Sequence, residues 1–395
     1  MAPEAAPLRV LMILESGYPV RGGGGAESQL RTLACELRRR GQRVTIVTPR
    51  VANAPQARVE RVEGIPVVRL PSPRVRGLAR LVLWCRFIAF LQRRGRRYHA
   101  WHAHIAHWLA AIACAMGDRL DRPVLVKVSG WWELERGVLA PDAGLLARKA
   151  RDALRGACWT QAISRRIAAE LARHDFPAAR VVALPNAVDT RRFMHARREA
   201  SDEAPLQAIF VGRLVAEKGL STLFEAIAAA FGNSRHLQLR VVGNGPLEAA
   251  LRAQAAALGI ADAVEFLGHR EDIDALLAGA DLGLLPSTIE GLSNTLLECM
   301  ASGLPVVASR ISGSEDLVVP GRNGWLFEAG DAGALAACLR EAAALPRAGL
   351  RALGAQARAD VSAHAGLDVV VERLLALYRG APAHDVAAAP STSRS

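Results

Sequence analysis

Short apolar runs separated by helix-periodic segments recur along the chain. In the first half they fall at 8–14 (LRVLMIL), 43–48, 66–70, 123–129, 158–164 and 180–185; in the second half at 207–213, 237–243, 263–268, 282–287, 305–309 and 324–327. Runs this short, apolar without strict alternation, describe strands buried on both faces. Between the first two, Leu30, Leu33, Ala34 and Leu37 recur at helical spacing before Gly41, an apolar helix face with a glycine stop. The alternation predicts an α/β fold, two doubly wound parallel sheets covered by helices.

The polar, charge-rich stretch before Pro205 interrupts this rhythm and marks a boundary. The expected organisation is a first Rossmann-like domain over 1–186, a linker over 187–205 and a second Rossmann-like domain over 206–365. A C-terminal helix over 366–380, apolar at Val369, Val370, Leu374, Leu375 and Leu377, could cross back to the first domain. An Ala/Pro/Ser/Thr-rich tail over 381–395 is expected to be disordered. Ligands of such sheets sit beyond the carboxyl ends of the strands, so chemistry is expected in a cleft between the domains.

At 395 residues the chain exceeds what one hydrophobic core usually serves, which agrees with two domains. The net charge of +12 divides unevenly. Residues 1–200 hold 35 Lys and Arg against 16 Asp and Glu, or +19, while residues 201–395 hold 15 against 22, or −7. A nonenzymatic nucleic-acid binder that uses the basic half is a less favoured alternative, because the three tyrosines and the lack of a recognisable binding module speak against it. Cys35, Cys85, Cys114, Cys158, Cys299 and Cys338 are scattered singly, suggesting neither disulfides nor a zinc site, and a reducing cytosol fits. The N-terminus reads as a first strand rather than a signal peptide. The longest apolar stretch, 78–92, is broken by Arg80 and Arg86 and is shorter than the roughly 20 residues a membrane span needs. With Arg74, Arg76, Arg93, Arg94, Arg96 and Arg97 around it, that stretch has the character of an interfacial segment meeting anionic lipid; an ordinary domain helix with solvated arginines is the alternative.

The richest chemistry lies in LLPSTIEGLSNTLLECMASGLPVVAS, residues 284–309. Pro286 and Ser287 end a strand, Gly291 and Ser293 open a helix, and Gly303 with Pro305 closes it. Backbone N–H groups around Gly291, Leu292, Ser293 and Asn294 then form an anion site at the helix start. Glu298, between Leu297 and Cys299 one turn inside, is a carboxylate among apolar neighbours and needs hydrogen-bond donors such as sugar hydroxyls. Glu290 brackets the anion site from the other side; a capping carboxylate and a solvated one are the plain alternative. In FVGRLVAEKGL, residues 210–220, Arg213 and Lys218 leave the end of a buried strand and could neutralise a diphosphate, or simply be solvated loop charges. The glycine run Gly22 to Gly25 permits close approach of a ligand to the start of the first helix.

These residues resemble the paired-glutamate pattern of the family 4 retaining glycosyltransferases, whose GT-B fold has two Rossmann-like domains. The GGGGAE loop, ALPNAVDTRRF (183–193), VGRLVAEKGL, VVGNGPLEAAL and EFLGHRED follow in the family's order, so the resemblance covers nearly the whole chain to about residue 380. It implies transfer of a sugar from a nucleoside diphosphate sugar, UDP- or GDP-hexose, to an acceptor hydroxyl with retained anomeric configuration, and no protein nucleophile. Arg213 and Lys218 would hold the diphosphate, Glu298 the ribose hydroxyls and Glu290 the transferred sugar. The Gly291–Asn294 backbone would bind phosphate and sugar, and Gly24 and Gly25 would face diphosphate and acceptor from the acceptor-binding first domain. Neither cofactor nor metal is expected: Asp272 and Asp274 spell DxD but open a helix, where they read as first-turn caps. Two departures stand out. Ser129 occupies the place of a common family histidine, with His102, His104 and His107 nearby in sequence, and NAVD carries Ala187 where glycine is usual. The expected setting is lipopolysaccharide, exopolysaccharide or other cell-surface glycan synthesis in the cytoplasm, peripheral to the inner face of the membrane, with a glycan or lipid-linked acceptor. A nucleotide-sugar epimerase of the same fold is the rival enzyme reading.

Overall fold

The computed structural model describes residues 6–19, 24–50, 56–71, 78–140, 144–195, 201–232 and 236–383. Its elements run β1 (Arg9–Ile13), α1 (Gly25–Arg39), β2 (Arg43–Pro49), β3 (Val59–Val62), β4 (Ile65–Leu70), α2 (Leu78–Arg94), β5 (Ala100–Ala103), α3 (Trp108–Leu120), β6 (Val124–Val128), α4 (Trp131–Glu135), α5 (Leu145–Arg155), β7 (Trp159–Ala162), α6 (Arg165–Arg173) and β8 (Val181–Ala183). They continue with β9 (Leu206–Val211), α7 (Leu220–Phe231), β10 (Leu237–Val242), α8 (Glu248–Ala257), β11 (Val264–Gly268), α9 (Ile273–Ala278), β12 (Leu282–Leu285), α10 (Asn294–Ala301), β13 (Val306–Ser309), α11 (Ser314–Leu317), β14 (Gly324–Phe327), α12 (Ala332–Ala344), α13 (Arg347–Ala365) and α14 (Leu367–Tyr378).

Two compact units result, Met1–Ala187 with Leu367–Ser395, and Val188–Gly366. The first holds an eight-stranded sheet in the order β3-β4-β2-β1-β5-β6-β7-β8, parallel except for the β3–β4 hairpin. The chain winds from β1 to one side and then returns to β5, so the direction switches between β1 and β5. The second holds a six-stranded parallel sheet, β11-β10-β9-β12-β13-β14, which is the 3-2-1-4-5-6 order of a dinucleotide-binding fold with its switch between β9 and β12. In such sheets the connections part at the switch point, leaving a crevice at the strands' carboxyl ends.

Each sheet buries its own core. Val10, Met12 and Leu14 pack with Leu30, Leu33 and Leu37 of α1 and with Leu374, Leu377 and Tyr378 of α14. In the second unit Ala208 and Phe210 pack with Leu223, Phe224 and Ile227 of α7. The terminal helix α14 is thus part of the first unit, and its Asp368 and Glu372 pair with Arg40, the C-cap residue of α1. The stretch expected as a linker is held to the second unit over its described residues from Val188 onward. The Val188 N–H donates to Ala365 O, the Arg347 N–H to Asp202 Oδ1, and the Arg358 guanidinium to Thr190 O and Phe193 O. Of the expected tail, Ala383 is buried and residues 384–395 lie outside the described residues.

Candidate active site

The second sheet's switch point gathers the charged residues singled out in the sequence. Arg213 leaves the end of β9 exposed, with no side-chain hydrogen bond among the described residues. A short turn, Ala216–Lys218, then carries Lys218 to the loop that follows β12. Three contacts clamp these loops. The Thr288 N–H donates to Glu217 O at 2.9 Å, Lys218 Nζ pairs with Glu290 Oε1, and Gly219 lies against Pro286. Gly219 sits at φ +67°, and a Cβ there would come within 2.0 Å of Pro286 O, so only glycine fits. Glu290 also accepts from Ser287 Oγ at 3.2 Å. Lys218 and Glu290 are each 19% exposed, a paired cation and carboxylate at the strand ends.

The loop between Glu290 and α10 is held from beneath. Ser312 Oγ donates to Gly291 O at 2.9 Å, Ser309 Oγ to Ser287 O, and Gly313, at φ +82°, packs against Gly291 and Leu292 with no room for a side chain. Helix α10 then starts with Ser293 at its N-cap position and no side-chain cap, leaving its first N–H groups uncapped by that hydroxyl. Thr295 Oγ1 donates to Val211 O at 3.1 Å, tying the helix to the end of β9.

Glu298 lies on the second turn of α10. No protein group hydrogen-bonds its carboxylate among the described residues. Burial pushes its pKa up to about 7, with Arg192 working against the rise and Asp274 adding to it. A desolvated carboxylate without hydrogen-bond donors is costly, and structural carboxylates are normally satisfied.

Asp272 and Asp274 stand at the start of α9 as expected, but neither acts as a side-chain cap. Asp272 occupies the N-cap position while its carboxylate pairs with Arg270, and Asp274 receives Arg192 at 3.2 Å and His195 at 2.7 Å. Each carboxylate is taken up by a cationic or imidazole side chain in place of the helix N–H groups. Asp274 therefore anchors the 188–195 segment, a role no local sequence signal shows.

In the first unit Gly24 is the N-cap residue of α1 and Gly25 its first residue, while Gly22 and Gly23 lie outside the described residues. Gln29, one turn on, exchanges two 2.8 Å hydrogen bonds with the backbone of Ala187. Ala187 is absent from the positive-φ residues, so its alanine side chain costs no backbone strain. Ser129, at the end of β6, donates both its N–H and its hydroxyl to Glu133, whose other oxygen accepts from the Ala106 N–H at 2.6 Å. Burial pushes the Glu133 pKa up to about 7 against the pull of these donors. His102 and His104 are fully buried and stacked at 4.1 Å, with His102 Nδ1 bonded to Tyr378 OH at 2.7 Å. Burial pushes the His102 pKa down to about 3, so these two are neutral interior rings. His107 differs, being partly exposed and bonded through Nδ1 to Glu15 Oε1 at 2.7 Å.

The family model described as "Glycosyltransferase Family 4" matches residues 23–192, and that described as "Glycosyl transferases group 1" matches residues 205–344. The putative colanic acid biosynthesis glycosyltransferase WcaL of Salmonella typhimurium is 32% identical over 51% of this chain and 52% of its own, so the chain spans about half the length of that relative. The D-inositol 3-phosphate glycosyltransferase of Geodermatophilus obscurus is 28% identical over 98% of this chain and 92% of its own. The crystal structure of HepE from Anabaena in complex with UDP superposes with a TM-score of 0.75, covering 94% of this chain and 100% of that one at 21% identity, a likeness of fold. By two adjoining family models and a shared two-sheet α/β architecture, the chain belongs to the group 1, family 4 glycosyltransferases of GT-B fold.

Proposed function

We propose that the protein transfers a hexose from a nucleoside diphosphate sugar, with UDP or GDP as the nucleotide, to an acceptor hydroxyl with retained configuration. The setting would be lipopolysaccharide, exopolysaccharide or other cell-surface glycan synthesis. The observation that carries this reading is Glu298, a desolvated carboxylate with no hydrogen-bond partner among the described residues, one turn inside a helix that opens at the switch point of a nucleotide-type sheet. Two adjacent hydroxyls are the neutral donors that would satisfy it, and a ribose has them. The backbone around Gly291, Leu292, Ser293 and Asn294, at a helix start that the Ser293 hydroxyl does not cap, would offer a phosphate the positive end of the helix. Arg213 and Lys218 would neutralise the charge that grows on the leaving diphosphate, a group stabilised more in the transition state than in the ground state. Lys218 is already oriented by Glu290, and Glu290, held by Ser287 and Lys218, would take the hydroxyls of the transferred sugar. In the first unit Gly24 and Gly25 would bring backbone N–H groups to the diphosphate. No side chain is assigned as a nucleophile; a phosphate oxygen of the leaving group would accept the acceptor's proton.

Thermal shift with UDP-, GDP- and ADP-sugars identifies the donor, because a ligand bound only to the native state raises its midpoint. Glu298→Ala and Lys218→Ala are expected to stay folded and lose most transfer, with the product's anomeric configuration read by NMR. Wild-type rates in either variant would overturn the assignment.

The acceptor side of the reading includes an anionic membrane surface on the cytoplasmic side. Helix α2 exposes Leu78 and Leu81, and Arg93, Arg94, Arg96 and Arg97 are exposed at its far end. Arg80 and Arg86 contribute less than the sequence suggests, because Arg80 lies over the Trp84 and Trp108 rings and Arg86 donates to Pro71 O. Arg74 and Arg76 lie outside the described residues, among which no helix is long and apolar enough to cross a membrane. Co-sedimentation with phosphatidylglycerol vesicles at low salt, lost when the four arginines become glutamine, tests the idea; no binding by the wild type would remove it.

A further inference from the structure

Glu15 follows β1 and His107 follows β5, so the two flank the switch point of the first sheet. Their 2.7 Å bond spans it. The second Glu15 oxygen accepts from the Leu109 N–H at 2.9 Å, which fixes the carboxylate and, through it, the imidazole. A carboxylate accepting at both oxygens leaves Nδ1 of His107 as the protonated nitrogen, so in the neutral ring Nε2 carries a lone pair. That nitrogen has no protein partner among the described residues, and the ring is 26% exposed. On the adjacent strand end, β6, the Ser129–Glu133 bonds hold α4, which presents Trp132 with its ring centred 6.0 Å from that of His107. Trp132 is 47% exposed, whereas the neighbouring Trp131 is bonded to Glu135 and Trp84 and Trp108 pack on each other at 4.9 Å.

We infer that Trp132 and the His107–Glu15 pair form the binding site for the acceptor, and that this acceptor is a saccharide. An open indole face packs on the apolar C–H face of a pyranose, and an oriented imidazole nitrogen beside it accepts a hydrogen bond from a ring hydroxyl. A lipid chain would leave the His107 nitrogen unpaired, and a phosphate would meet the Glu15 carboxylate as a like charge. The inference rests on the glycosyl-transfer reading and names the substrate class taken by the first unit.

The test uses the full chain, its donor from the thermal-shift screen, and a panel of octyl α- and β-hexopyranosides as acceptor probes. Trp132→Ala and His107→Ala are expected to raise the KM of the best probe at least about tenfold, the loss of ~1.4 kcal/mol of binding, while the donor KM stays within about twofold. Trp132→Phe, which keeps an aromatic face, is expected to recover most of the affinity. The nucleotide-induced midpoint shift should match wild type in all three, which excludes general damage to the fold. An unchanged acceptor KM in Trp132→Ala and His107→Ala, or a donor-competent wild type that uses none of the probes, overturns the site. A wild type that no nucleotide sugar stabilises fails at the earlier step, the transfer reading itself.

Discussion

Glu133 is a buried carboxyl and Glu298 a half-buried one, and the pKa of each is pushed up to about 7, yet the same substitution should move their domains in opposite directions. Glu133 accepts from three donors, the Ala106 and Ser129 N–H groups and the Ser129 hydroxyl. Glutamine there can satisfy only one side, and its NH2 would confront an N–H; an unsatisfied buried donor costs about 1–3 kcal/mol. Glu298 has no such donors. A rise from 4.5 to about 7 corresponds to an upper bound of ~3 kcal/mol against the charged form. Partial exposure and the amide's own desolvation reduce the net gain of Glu298→Gln to roughly 1–2 kcal/mol. The sign follows from linkage: between pH 4.5 and about 7 the folded state binds more protons than the unfolded one, so stability falls as pH rises through this window. The penalty is complete above it and absent below it. In a unit of this size 1–2 kcal/mol is worth about 2–8 °C. Calorimetry of wild type and Glu298→Gln should therefore show a raised midpoint for the variant at pH 8 that vanishes near pH 4, together with at least about tenfold weaker nucleotide binding, since hydrogen bonds to a charged group contribute about 1.5–3 kcal/mol. Glu133→Gln should lower the midpoint of its unit. A Glu298→Gln variant less stable than wild type at pH 8, or a difference that ignores pH, would refute the claim that this carboxylate is kept for a ligand.

Other substitutions probe the scaffold around the site. Gly219→Ala adds a left-handed penalty of about 1–2 kcal/mol and a side chain that Pro286 O does not admit, so the Lys218 and Glu290 loops must part. Its midpoint should drop by several degrees and its kcat by more than its donor KM changes, measured by calorimetry and steady-state kinetics. Tyr378→Phe leaves His102 Nδ1 unpaired inside the first core and should cost about 1–3 kcal/mol, read from denaturant melts. Because His102 is held down to about 3, the unfolded state binds the extra proton between the ordinary imidazole value and that point. Stability of the first unit should therefore fall as pH drops from about 6.5 toward 3, and His102→Gln should flatten that slope.

The parts of the fold visible in the sequence are those whose signal is local. Each of the twelve apolar runs overlaps a strand, because a strand buried on both faces needs consecutive apolar residues. The two strands without such a run, β3 and β5, lack it for different reasons. VERV is an edge strand and keeps its charges, while AWHA buries a histidine whose Nδ1 is bonded by Tyr378 of α14, 276 residues away. The same division governs the site. Glu290, Glu298 and the helix start are written in one segment, with Gly291 and Ser293 between them. What joins Lys218 to Glu290, Ser312 to Gly291, or His107 to Glu15 is sheet order, which places loops 72, 21 and 92 residues apart at adjoining strand ends. Sequence pattern can nominate Glu298 as a carboxylate in an apolar helix face, but only the packed neighbourhood shows it without a partner and Glu133 fully served. That difference, three donors against none, is why one glutamate reads as structure and the other as half of a binding interaction.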